Sequence, residues 1–236
     1  MSGILYLIPC PIAEDGNVWE TIPAANKTVI DSLDYFIVEN TRSARRFLSK
    51  CKVANPIDSL EFVELNEHSH SGVEIEKMVD PIAAGRSAGV ISEAGVPGVA
   101  DPGALVVEVC HRRGIKVVPL VGPSSIIMAV MASGLNGQSF AFNGYLPIKP
   151  AERGKAIRNF ERRAQQEGQS QLFIEAPYRN VKLVEQLLGT LSPKTKLTIA
   201  MDITSPEEFI LTQEVEKWRR AKLPELNRRP AIFIIG

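Results

Sequence analysis

Apolar positions in this chain fall into short runs separated by helical stripes. The run ILYLI at Ile4–Ile8 is nearly continuous, the pattern of a strand buried on both faces. It stops at Pro9-Cys10-Pro11, which continues neither a helix nor a central strand. After Pro23, the inward spacing of Val29, Ile30 and Leu33 predicts one amphipathic helix over 22–33. DYFIV at 34–38 predicts a second strand, and 62–65 a weak third. Val73, Ile75, Met78, Val79 and Ile82 set out a helix over 72–84, ended by Gly85. Val90-Ile91 is a strand that breaks into a loop with Gly95, Pro97 and Gly98. Asp101-Pro102-Gly103 reads as a helix start, with Asp as N-cap and Pro at the first helical position. The helix over 104–113 turns Leu105, Val106, Val109 and Cys110 inward, Gly114 stops it, and 115–120 is the next strand. Strand, loop, helix, strand is the parallel crossover of an α/β sheet.

The second half repeats the theme with less parallel regularity. A helix over 126–132, capped by Ser124 or Ser125, closes at Gly134. A strand at 140–142 precedes a charged helix over 149–166, whose buried stripe is Ile157, Phe160 and Ala164. Strands follow at 171–174, 197–201, 209–215 and Ala231–Ile235, with helices over 181–191 and 215–221. The expected fold class is α/β, arranged as two α/β domains, 1–120 and 121–236.

Composition narrows the function. The 236 residues are 44% apolar and 23% charged, enough to bury a core and stay soluble. Lys plus Arg and Asp plus Glu both number 27, so the chain lacks the overall basic charge of a nucleic-acid coat, though a local basic patch remains open. No apolar run is long enough to span a membrane, and the start lacks the basic region of a signal peptide. Three widely spaced cysteines suit reduced thiols in the cytoplasm. His68-x-His70 is a poor metal site, and no metal is expected.

Candidate chemistry gathers at strand ends. Gly95 and Gly98 would let a ligand lie against the main chain of a long loop after the 90–91 strand. Two prolines stand after the first strand where a dinucleotide site would show G-x-G-x-x-G, so that site is excluded there. Glu39, Asn40 and Arg42 end the second strand; they serve as helix cap and surface ion pair, or as the rim of a cleft. Arg42, Arg45, Arg46, Lys50 and Lys52 form a row that meets phosphate or is a solvated face. In the polar stretch 66–70, Glu67 and His68 are candidates for proton transfer. The Gly122-Pro123-Ser124-Ser125 turn can seat a carboxylate or a ribose.

Taken together, several stretches resemble a known family. They are LYLIPCPI at 5–12, VENTR at 38–42, VISEAGVPGVADPG at 90–103, GIKVVPLVGPSS at 114–125, ASGL at 132–135, FNGYLP at 142–147 and FIEAPYR at 173–179. In this order and spacing they resemble the tetrapyrrole methylase superfamily, and within it the ribosomal RNA small subunit methyltransferase I family. The resemblance implies two α/β domains with S-adenosylmethionine in a cleft between them, usually in a homodimer, acting on small-subunit rRNA or a ribosomal particle. It carries the cofactor contacts to Ile8, Pro9, Pro11, Ser92, Glu93, Gly95, Val96, Pro97, Gly122, Ser124 and Ser125, and in the second domain to Ala176, Ala200, Met201, Pro230 and Ala231. Glu39, Arg42, Glu67 and His68 are then expected to face the methyl group, with Arg42 on a phosphate or ribose and Glu67 or His68 accepting the proton. Three positions depart from the family: Glu93 replaces Asp, Val96 replaces Thr, and Asn40 replaces Asp. Two other readings stay open. A corrin or tetrapyrrole methyltransferase would want a Gly-Asp-Pro loop where Ser92-Glu93-Ala94-Gly95 stands. A non-catalytic cofactor-binding protein of ribosome assembly is compatible with the three departures.

Overall fold

Strands that alternate with helices return to the same sheet edge each time, which makes the sheet parallel. The computed structural model describes residues 2–13, 17–65 and 72–236. Its chain divides into two compact units, Met1–Ser124 and Ser125–Gly236.

The first unit carries β1 (Ile4–Ile8), α1 (Val18–Thr21), α2 (Asn26–Asp31), β2 (Tyr35–Val38), α3 (Thr41–Cys51), β3 (Glu61–Glu64), α4 (Gly72–Ala83), β4 (Ala88–Ile91), α5 (Gly103–Arg112) and β5 (Lys116–Pro119). Its sheet runs in the order β3-β2-β4-β1-β5 with every pairing parallel. Alternation along the strands sorts the core into two layers. Leu5, Tyr35, Ile37, Ala88 and Val90 pack with Ile75, Val79 and Ile82 of α4 and Val106 and Val109 of α5. Ile8, Phe36, Val38 and Ile91 pack on the opposite face with Val18, Ile30, Phe47 and Leu48 from α1, α2 and α3.

Three local expectations need correction. The helix expected over 22–33 is shorter, α2 at Asn26–Asp31, because Pro23 stands ahead of it, and α1 is a separate turn before that range, started by Asn17 accepting the Trp19 N–H. The helix after Asp101 begins one residue later than its proline suggests: Pro102 sits at the cap position, and the Asp101 carboxylate accepts the Gly103 N–H. Val73 is 65% exposed rather than inward, since it lies in the first turn of α4, ahead of the stripe that meets the sheet.

The second unit carries α6 (Ser125–Ser133), β6 (Phe140–Tyr145), α7 (Pro150–Glu167), β7 (Ser170–Ile174), α8 (Asn180–Thr190), β8 (Lys196–Met201), β9 (Phe209–Glu214), α9 (Val215–Arg220) and β10 (Ala231–Ile235). Its sheet is mixed, in the order β6-β7-β10-β8-β9, and only β6 and β7 run parallel. One continuous core joins Ile157, Phe173, Leu183, Leu187, Ile199, Trp218 and Phe233. Within it the Phe160, Phe173 and Phe233 rings stack in series, with centroids 6.3 Å and 6.1 Å apart. No described helix is long and apolar enough to cross a membrane.

Candidate functional site

Parallel strands end on one edge, so the loops after β1, β2, β4 and β5 open on the same side of the first unit. β1 lies between β4 and β5, and its loop is fastened to both neighbours. The Cys10 N–H donates to the Gly95 carbonyl at 2.8 Å, and the Gly95 N–H donates to the Cys10 carbonyl at 3.1 Å. Gly95 holds φ +70°, a conformation that favours glycine. On the other side, Gly122 presses on Pro9 so closely that a Cβ there would lie 2.2 Å from the proline Cβ. The Asn26 side-chain amide donates to the Val121 carbonyl at 2.8 Å and holds the same turn.

These contacts bring most of the expected first-unit residues together. Ile8, Pro9, Ser92, Gly95 and Pro97 are buried; Pro11, Val96, Gly122 and Ser124 are half-buried; Glu93 is exposed. Ser125 opens α6 in the second unit. Among the described residues no group of three His, Cys, Asp or Glu could hold a metal ion.

Glu39 stands at the end of β2, where its Oε1 accepts the Glu93 N–H at 3.1 Å. The Asp101 carboxyl lies close enough to act on it. Asp101 Oδ1 accepts the N–H groups of Gly98 at 2.9 Å and Gly103 at 2.6 Å, while its buried Oδ2 meets no donor among the described residues. Burial, then the hydrogen bond to Asp101 and its negative charge, push Glu39 up to about 7 against the smaller opposing pull of the Glu93 N–H. Glu39 therefore takes up or releases a proton near neutrality.

Arg42 lies exposed in the first turn of α3. The helix start beneath it is doubly capped: Asn40 accepts the Ser43 N–H at 3.0 Å and Glu64 accepts the Thr41 N–H at 2.8 Å. Asn40 thus keeps the cap that an Asp would make, without the charge. In the expected phosphate-binding row, Arg45 is engaged by Asp58 and lies over the Phe62 ring, 5.8 Å from its centroid. Glu67 and His68 lie outside the described residues.

In the second unit the expected residues meet at the edge where β7 and β8 end and β10 begins. Ala231 pairs with Met201, and Ile232 with both Ala200 and Ile174. The Asp202 N–H donates to the Pro230 carbonyl at 3.1 Å. Ala200 and Met201 are fully buried, and the Met201 side chain belongs to the apolar core. Beside half-buried Ala176, the buried Glu175 carboxylate accepts the Ala176 N–H at 2.8 Å and pairs with Arg179 at 2.6 Å. Asp101 is the residue that sequence reasoning missed as chemistry. Its one signal, an Asp before Pro-Gly, is explained completely by a helix cap.

No family model matches the chain. It is 31% identical to the ribosomal RNA small subunit methyltransferase I of Vibrio cholerae over 209 residues, 89% of this chain and 68% of that protein. Its fold is similar to the crystal structure of the methyltransferase CobJ, with a TM-score of 0.63 at 16% identity over 100% of this chain and 94% of that one. It is also similar to a uroporphyrin-III C-methyltransferase from Thermus thermophilus complexed with S-adenosyl homocysteine, with a TM-score of 0.57 at 16% identity over 99% and 97% of the two chains. The tetrapyrrole methylase fold is thereby shown.

The Gly122–Pro9 contact leaves no room for a methyl group. Gly122→Ala is expected to lower the unfolding free energy by about 1–3 kcal/mol, read as an earlier urea midpoint at unchanged slope. An unchanged midpoint would mean that this contact does not constrain the loops.

Proposed function

The chain belongs to the ribosomal RNA small subunit methyltransferase I family, and on that footing we propose that it methylates the 2′-oxygen of a cytidine ribose in small-subunit rRNA. It is a methyltransferase whose donor is S-adenosylmethionine. The observation that carries the finer reading is the Glu39–Asp101 carboxyl pair beside the joined strand-end loops. A ribose hydroxyl is a poor nucleophile at neutral pH and gains from a positioned proton acceptor. Glu39, raised to about 7, is matched to accept that proton at physiological pH. Asp101 acts through Glu39, setting the pH at which Glu39 is free to accept. Exposed Arg42 orients a phosphate of the RNA backbone. Glu67 and His68 are the rival proton acceptors.

When bound, S-adenosylmethionine supplies an electrophilic methyl group on a positively charged sulfonium. The residues present suit it in two respects. Gly95 presents bare main chain at φ +70°, and the carboxyl pair keeps a negative charge near a cationic ligand. In this reading the loops after β1, β4 and β5 hold the donor. Two copies are proposed to associate in the cytoplasm: α6 buries only Ala129 and Ser133 and leaves Met131 76% exposed.

The substrate is tested by mass spectrometry of nucleosides from small-subunit rRNA, with the gene present and deleted. One 2′-O-methylcytidine is expected to vanish on deletion and to return with the purified protein and S-adenosylmethionine; unchanged rRNA removes this substrate. Glu39→Gln is expected to lower kcat by on the order of 100-fold, at donor concentrations that calorimetry shows to be saturating for the variant. The native rate rises with pH through about 7, as Glu39 loses its proton. Asp101→Asn removes the like charge and should move that limb to lower pH. A limb that stays in place in both variants assigns the proton acceptor elsewhere, with Glu67 and His68 next. Sedimentation should give the mass of two chains for the native protein and of one for Met131→Lys; a native monomer overturns the proposed association.

A further inference from the structure

β6 and β7 run parallel, with Tyr145 in register with Ile174, so the chain leaves both strands on one edge of the second unit. Large apolar side chains stand open to solvent there. Tyr145 is 62% exposed, Ile148 in the turn after β6 is 69% exposed, and Tyr178 just beyond β7 is 67% exposed. The Arg179 guanidinium lies over the Tyr178 ring, 5.4 Å from its centroid. That arginine is held in place by Glu175, whose Oε1 accepts from Nε at 2.9 Å and Nη2 at 2.6 Å. Arg153 approaches the same carboxylate, with Nη1 3.8 Å from Oε2. Two guanidiniums against one carboxylate leave this buried cluster positive. Another exposed cation is brought alongside, because the Arg228 N–H donates to the Pro177 carbonyl at 3.1 Å. Exposed Lys149, 3.4 Å from Glu152, ends the turn that holds Ile148.

We propose that this edge is a stacking platform for single-stranded RNA. Unpaired bases of the substrate lie on the Tyr178 and Tyr145 rings, and the neighbouring cations meet phosphates. The proposal rests on the rRNA reading and names the part of the chain that grips that substrate. Aromatic rings beside arginines match the two faces of an unpaired nucleotide, an apolar base and an anionic backbone. A duplex offers no open base face, so the platform selects single-stranded segments. FNGYLP and FIEAPYR supply both rings, at tyrosines that are not among the proposed donor contacts.

The test uses the full chain, a fluorescein-labelled single-stranded oligouridine read by anisotropy, and S-adenosylmethionine calorimetry on every variant. Tyr178→Ala and Tyr145→Ala are each expected to weaken RNA binding by about tenfold. Tyr178→Phe should bind as the native protein does, because stacking needs the ring and not the hydroxyl. Arg228→Ala should weaken binding and flatten its salt dependence. Donor affinity should stay native throughout, which shows that each variant is folded. With rRNA as substrate, the two alanine variants should raise KM for RNA far more than they lower kcat. Alanine variants that bind the oligonucleotide like the native protein overturn the platform, even where the native protein methylates rRNA. A native protein that takes up the donor but neither binds nor methylates RNA overturns the substrate reading, and the platform falls with it.

Discussion

Two backbone hydrogen bonds, exchanged between Cys10 and Gly95, hold the first unit's functional edge together. Pro9 and Pro11 have no N–H to give, so the first strand cannot extend its ladder beyond the sheet. Cys10, between them, keeps its donor and spends it on the loop after β4. Gly95 can answer because it adopts φ +70° without strain. Gly122 then seats on Pro9, and three loops that would otherwise move separately become one surface. The rigid base beneath them is a parallel sheet buried on both faces, where β2 and β4 expose almost nothing.

That surface places two carboxyls in contact, at an electrostatic cost. Burying like charges side by side is unfavourable, and the pair lowers the cost by holding a proton. Asp101 has two duties at once. Its Oδ1 fixes the loop and the start of α5 through Gly98 and Gly103, while its negative charge raises the proton affinity of Glu39. The loop that contributes to the proposed donor site thereby also sets the proton affinity of Glu39. Loop geometry and the proton affinity of Glu39 are consequences of one side chain's position.

The second unit handles charge differently. Its mixed sheet has an apolar core that tolerates Glu175 only because Arg179 and Arg153 accompany it. The result is an arginine fixed in direction under an exposed tyrosine ring. A side chain held this way loses little entropy on meeting a ligand. The first unit holds a protonable acid pair near neutrality, and the second displays aromatic and cationic groups around a neutralised acid.

Much of the architecture was legible from periodicity alone. β1 and β10 have the bounds that their apolar runs predict, Ile4–Ile8 and Ala231–Ile235. The α4, α5 and α7 stripes match the buried residues except at helix starts, as at Val73, where the first turn overhangs the core. Pro23 was visible, yet the apolar spacing around it outweighed its known effect on a helix, and the helix expected from residue 22 starts only at Asn26. The motif order was enough to identify the family and the strand-end loops. What composition and spacing could not reach were pairings across long stretches of chain. Glu39 and Asp101 belong to different strand-loop units, and local pattern carries no information about the distance between them. Each looked complete by itself, one as a strand-end acid and the other as a helix cap. Only the strand order, which sets β2 beside β4, brings their carboxyls near each other and raises the proton affinity of Glu39.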